Sequence, residues 1–118
     1  MSNSLVAVAI DCDDAPALAR FWADVLGRPV ADDSTSEHVV LLAGDGDFSW
    51  PLIVFNRVPE PKIVKNRLHL DLISDTFDAE IERLRSLGAL RLRDVQGAKS
   101  RWTTLADIEG NEFDLIAG

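Results

Sequence analysis

The sequence is poor in two residue types whose scarcity narrows what the protein does. Its 118 residues include one cysteine, Cys12, so no disulfide can form within the chain and a reducing cytoplasm is the simplest location. Basic residues are also few, 12 against 20 acidic ones, which gives a formal net charge of −8. Nucleic acids and anionic membranes both attract clustered basic side chains, so neither is expected as a partner.

Long apolar runs and glycine-rich nucleotide-binding patterns are lacking as well. No stretch approaches the length of a membrane-spanning helix, and the first residues carry no signal-peptide pattern. Neither a Rossmann nor a P-loop glycine motif occurs. Since 47% of the residues are hydrophobic, the chain can still bury a core, and its length fits one domain.

The sequence does contain an internal repeat, in which one pattern of predicted elements occurs twice. Each half has a short strand, an acidic cap, an amphipathic helix and a Leu-Gly end. The first copy consists of Leu5–Ile10, Asp13-Asp14 and Leu26-Gly27, and the second of Arg67–Ile73, Ser74-Asp75 and Leu87-Gly88. The plan predicts an α+β fold of two βαβββ modules, whose sheets form a shared cleft. We place module one at about residues 1–57, the connector at 58–66 and module two at 67–118.

Periodicity and turn residues predict the individual elements. The first helix has an apolar stripe that includes Phe21 and Trp22, and the second is capped by Ser74 or Asp75. In the second helix Phe77, Ile81 and Leu84 share one face. Further strands are expected at His38–Ala43, Trp50–Asn56, Leu90–Val95, Arg101–Ala106 and Glu112–Ala117.

Alternation along two strands of module two predicts a polar cluster on one sheet face. In Arg67–Ile73 the leucines suit the helix side, which leaves the other residues on the open face. The last strand likewise leaves its acidic residues on that face. If the two strands are neighbours, the cluster contains Arg67, His69, Asp71, Glu112 and Asp114.

Several motifs on this plan resemble one known superfamily. The duplicated modules, Phe21-Trp22 before Val25-Leu26-Gly27, and the terminal stretch from Asp107 to Phe113 are similar to the vicinal oxygen chelate superfamily of glyoxalases, bleomycin resistance proteins and dioxygenases. The segment from Val58 to Asp71 resembles its glyoxalase-like branch. The resemblance covers nearly the whole chain, and it implies a small-molecule ligand and a homodimer.

The resemblance also implies a divalent metal held by the first and last strands of each module. It places His69 and Asp114 as the ligands of module two, and both suit Zn, Ni, Mn or Fe. In module one the position matching His69 falls on Ala7 or Val8, and the last strand offers only Asn56. We therefore expect no cofactor, with a divalent metal at an incomplete site as the alternative.

Two functions follow from these residues, and whether the chain is an enzyme is left open between them. The first is a metal-independent small-molecule-binding protein, with Trp102 or Trp50 stacking on a planar ligand beside the polar cluster. The second is a metal-dependent lyase, isomerase or dioxygenase that uses His69 and Asp114. The missing ligand in module one favours the binding protein.

Overall fold

The computed structural model describes residues 2–46 and 49–118, which fall into two compact units that divide between Pro61 and Lys62. The elements are β1 (Ala7–Cys12), α1 (Ala15–Leu26), β2 (His38–Leu41), β3 (Leu52–Arg57), β4 (Leu70–Ser74), α2 (Phe77–Ser86), β5 (Leu90–Gln96), β6 (Arg101–Ala106) and β7 (Glu112–Ala117). Neither helix of the described chain is long and apolar enough to cross a membrane.

The fold is α+β with two mixed sheets, as the sequence predicts. In the first unit the strand order is β1-β3-β2, with β1 parallel and β2 antiparallel to β3. In the second unit the order is β4-β7-β6-β5, and only the pair β4 and β7 is parallel. The first of the three β-elements that the repeat predicts after α1 is reduced to an isolated bridge between Val30 and Leu41.

Helix α1 begins and ends where its sequence signals lie. The side chain of Asp14 accepts a hydrogen bond from the backbone N–H of Ala17 at 3.1 Å, and Gly27 takes the left-handed conformation with φ 64°. The predicted stripe packs against β2 and β3, and its buried members are Leu18, Phe21, Trp22 and Val25.

Helix α2 packs on the second sheet through the predicted residues Phe77, Ile81 and Leu84. Its predicted cap is wrong, because Thr76 occupies the cap position and makes no capping side-chain bond. Ser74 is still the last residue of β4, where it pairs with Ala117.

Strand β4 starts later than the alternation predicts, at Leu70 instead of Arg67. Its ladder begins where Leu70 meets Phe113, and the chain before that point has no strand partner. Leu68, expected on the helix side, is therefore 67% exposed. The alternating pattern continues past the end of the ladder, so the pattern alone does not mark where β4 starts.

Candidate functional site

The open face of the second sheet is the face opposite α2. In β7, Phe113 and Leu115 are buried and α2 contacts this strand, so Glu112, Asp114 and Ile116 point to the other side. The parallel ladder pairs Asp114 directly with Asp71 of β4. The register therefore brings two carboxylates side by side on one face.

His69 joins these two carboxylates to form the His69 cluster, which consists of His69, Asp71 and Asp114. The Nδ1 atom of His69 lies 2.9 Å from Asp71 Oδ1 and 3.9 Å from Asp114 Oδ2. A carboxylate only accepts hydrogen bonds, so the imidazole Nδ1–H donates to Asp71. Although His69 lies one residue before β4, its side chain approaches Asp114, the partner that the sequence predicts.

Asp114 is fixed by a neighbour that the sequence analysis did not single out. The hydroxyl of Thr104 donates to Asp114 Oδ1, and the β6–β7 ladder pairs the same two residues. Thr104 is buried, whereas His69 and Asp71 are exposed. Thr104 thus fixes the Oδ1 atom of Asp114, and the Oδ2 atom faces His69.

The remaining predicted site residues do not join this cluster. Arg67 is exposed in a bend before β4. Trp102 lies in β6 opposite Ile116 and borders a cavity of about 170 Å³ that Phe77 and Arg101 also line. Trp50, the alternative stacking residue, is 62% exposed and precedes β3. Only part of the predicted polar cluster is therefore brought together.

Glu112 belongs instead to a network that attaches the connector to β7. Its Oε1 lies 3.3 Å from Lys62 Nζ and accepts from the backbone N–H of Asn66 at 3.4 Å. Burial alone would raise the pKa of Glu112, but its own backbone N–H, that of Asn66 and the Lys62 ammonium outweigh it. The pKa of Glu112 consequently lies below its ordinary value of 4.5.

We expect Glu112→Gln to remove a pH-dependent part of the stability. A lowered pKa contributes stability above the unfolded pKa of 4.5, and this contribution is lost as the pH falls through the folded pKa. The variant should therefore be less stable than the parent at pH 7, and the gap should narrow as the pH falls below about 5. Urea unfolding at a series of pH values measures it. Glu60→Gln, at an exposed connector residue, is the control, and a gap that stays constant with pH would contradict the expectation.

The first module holds apolar residues at the positions that match the His69 cluster. Counting back from the last residues of β1 and β4 places Ala7 and Ala9 at the positions of the histidine and the first aspartate. Val54, the ladder partner of Ala9, stands at the position of the second aspartate. Of the two positions left open by the sequence, Ala7 is thus the match, because Val8 pairs with buried Ile53.

The His69 cluster has the donor chemistry that a divalent cation needs. One imidazole nitrogen and two carboxylate oxygens lie within 4.8 Å of one another. Imidazole and carboxylate together suit Zn, Fe, Mn and Ni. Within the part of the chain that the structure describes, this is the one such group of three residues, and all of its members come from module two.

The fold is shared with solved structures of one class, the glyoxalase/bleomycin resistance/dioxygenase proteins. A family enzyme from Burkholderia phytofirmans PsJN has a TM-score of 0.79 at 19% identity, over 98% of each chain. A variant of the fosfomycin resistance protein FosX from Listeria monocytogenes, in complex with Mn(II) and a dihydroxypropylphosphonic acid, has a TM-score of 0.78 at 16% identity over 100% of this chain and 91% of that chain. Lactoylglutathione lyase from Agrobacterium tumefaciens has a TM-score of 0.69 at 15% identity, over 100% of this chain and 96% of that chain.

The sequence itself gives the family. Residues 7–116 match the glyoxalase-like domain, and the chain belongs to that family. No curated protein matches the sequence. At identities below 20% the solved structures establish the fold, while the activity has to be argued from the residues of this chain.

Proposed function

We propose that this protein binds a small oxygen-containing molecule on the open face of its second sheet, through a divalent cation held by the His69 cluster. The observation that carries the proposal is the convergence of three donor atoms within 4.8 Å of one another. Sequence reasoning offered two ligands in module two, and Asp71 supplies a third. The site differs from the one the resemblance implies, because all three residues of the His69 cluster come from module two.

Three protein ligands leave room for a ligand molecule. Catalytic metal sites commonly have three protein ligands and keep one position for water or substrate, whereas structural zinc sites are closed by four. The exposure of His69 and Asp71 leaves the cluster open to solvent. The complex of FosX with Mn(II) and a phosphonic acid supports a cation and a small molecule on this fold. When bound, the cation would act as a Lewis acid toward adjacent oxygens of the ligand, which is the chemistry of lyases and dioxygenases.

The protein residues have separate tasks in this proposal. Thr104 holds Asp114 through Oδ1 and leaves Oδ2 on the side of His69. The parallel register holds the Asp71 backbone beside that of Asp114. Two neighbouring carboxylates repel each other, and a cation between them removes that repulsion. An anionic pair beside an imidazole therefore favours binding of a cation.

A metal-free binding site is the second candidate, and the 2.9 Å contact between His69 and Asp71 is the observation that favours it. In that arrangement Asp71 orients the imidazole and leaves Nε2 to accept or donate a ligand proton. The apolar matching positions of module one agree with it. A direct test of metal binding separates the two candidates.

Metal titration by calorimetry tests the proposal. Purified, chelator-treated protein is titrated with Mn²⁺, Zn²⁺, Ni²⁺ and Fe²⁺ (the last without oxygen). We expect one equivalent of at least one cation to bind, and His69→Ala and Asp71→Asn each to weaken binding by at least tenfold, about 1.4 kcal/mol. The chain has two histidines, so His38→Ala is the matched control and Asp75→Asn is the control for the aspartate.

Each outcome decides between the candidates. Equal affinities in His69→Ala and His38→Ala would place any bound metal away from the His69 cluster and would contradict the metal site. No binding by the parent protein would leave the metal-free site, which ligand screening by thermal shift then examines.

A further inference from the structure

The open face of the second sheet carries a polar row that crosses all four strands. The ladders pair Asp71 with Asp114, Asp114 with Thr104, and Thr104 with Arg93. Directly opposed residues lie on the same face of a sheet. The row thus begins at Asp71 of the His69 cluster on β4 and ends at the positively charged Arg93 on β5. The next row along the strands is apolar and consists of Ile73, Ile116, Trp102 and Val95.

A β-bulge places Arg93 on this face. The β5–β6 register shifts between Arg91 and Arg93, so that Leu92 has no opposing residue. Arg91 and Asp94 are on the α2 side, because Asp94 binds both Arg91 and Thr103. Strict alternation from Arg91 would send Arg93 to that side too, and the extra residue turns it to the open face. Bulges commonly redirect a side chain in this way next to active sites.

Arg93 differs from the other arginines of this hairpin in having no partner. Arg91 donates twice to Asp94, at 3.0 Å each. Arg101 lies 4.5 Å above the Phe77 ring and 3.6 Å from an oxygen of Asp78. The side chain of Arg93 forms no hydrogen bond or ion pair with any residue in 2–46 or 49–118. Its guanidinium is thus free to bind something outside the chain.

We propose that the ligand of the His69 cluster carries a second, anionic group, a carboxylate or a phosphonate, and that Arg93 binds it. Strands in a sheet are about 4.8 Å apart, so the backbone of Arg93 lies about 10 Å from that of Asp114. A short carbon skeleton spans this distance with the apolar row beside it. Guanidinium pairs with carboxylate and phosphonate oxygens in two parallel hydrogen bonds. This inference rests on the proposed function, since the cluster holds the other end of the same molecule.

A matched pair of probe molecules tests the anionic group. 2-Oxoadipate has two adjacent oxygen-bearing carbons at one end and a carboxylate at the other, and 2-oxohexanoate has the same length without the distal carboxylate. We expect the Mn²⁺-loaded protein to bind 2-oxoadipate at least tenfold more tightly. Arg93→Gln should abolish the difference, while Arg85→Gln, at an exposed arginine of α2 on the opposite side of the sheet, should keep it. The phosphonate analogue of 2-oxoadipate shows which anion binds better.

The outcomes separate this inference from the function beneath it. Equal affinities for both acids, unchanged in Arg93→Gln, would overturn the role of Arg93 and leave binding at the cluster intact. Failure of both acids to bind would contradict the proposed function and this inference together. A difference that shrinks as NaCl rises supports an ion pair, because salt screens exposed charges. Urea unfolding of Arg93→Gln checks that the hairpin is intact.

Discussion

Replacing Trp22 by alanine should lower the free energy of unfolding by about 3–5 kcal/mol, the range for emptying a large aromatic site in a core. Trp22 is 1% exposed and is among the largest fully buried side chains of the described chain. Its ring meets that of Phe21 nearly at right angles, at 88°, with centroids 5.5 Å apart. Alanine would remove the ring contacts and leave a cavity between α1 and its sheet.

Urea unfolding followed by far-UV circular dichroism measures this loss. Trp50→Ala is the matched control, because Trp50 is 62% exposed and its removal leaves no buried cavity. We expect the control to differ from the parent by about 0.5 kcal/mol or less. Similar losses in both variants would mean that the packing of α1 contributes less to stability than its burial indicates.

Asp107→Ala should also have a large effect on stability. We expect it to lower the free energy of unfolding by about 2–4 kcal/mol, because hydrogen bonds to a buried carboxylate are lost. Asp107 is 4% exposed and lies in the turn before β7. Its Oδ1 accepts from the backbone N–H groups of Glu109 at 2.9 Å and Asn111 at 3.0 Å. The Asn111 side-chain amide donates to both carboxylate oxygens.

This turn also connects to the site, so the same substitution should weaken metal binding. Asn111 Oδ1 accepts from the Asn66 side chain at 2.9 Å, and Asn66 in turn contacts Glu112, two residues before Asp114. Denaturation and metal titration of one sample measure both effects. Asp45→Ala, at an exposed residue, is the control. A loss below about 1 kcal/mol would show that solvent replaces these hydrogen bonds.

The sequence predicts the fold well because its signals are local. The Asp14 cap, the apolar stripe of α1 and the glycine at its end each act within one helix, and the structure confirms all three. Strand β7 has the predicted bounds, Glu112–Ala117, since turn residues precede it and polar and apolar residues alternate from Glu112 to Leu115. The predicted cap of α2 was wrong because Ser74, Asp75 and Thr76 all have side chains that can cap a helix. Pairing within the sheet, which keeps Ser74 in β4, decides where the helix begins.

The site was predicted in part, and the missing part depends on register. The prediction that His69 and Asp114 approach each other needed only that β4 and β7 be neighbours, and they are. The contact of Thr104 with Asp114 and the orientation of Arg93 depend on how β5, β6 and β7 are aligned. A bulge at Leu92 leaves no mark in the residue pattern, and it reverses the face of the residues that follow.

The edge position of β5 also affects how the protein avoids aggregation. An edge strand exposes a row of backbone groups that another chain can pair with, and β5 is exposed along nearly its whole length. Charged side chains and bulges are common protections for such an edge, and β5 has both in Arg91, Arg93 and the irregularity at Leu92. Both features disfavour backbone pairing between β5 and a strand of another molecule.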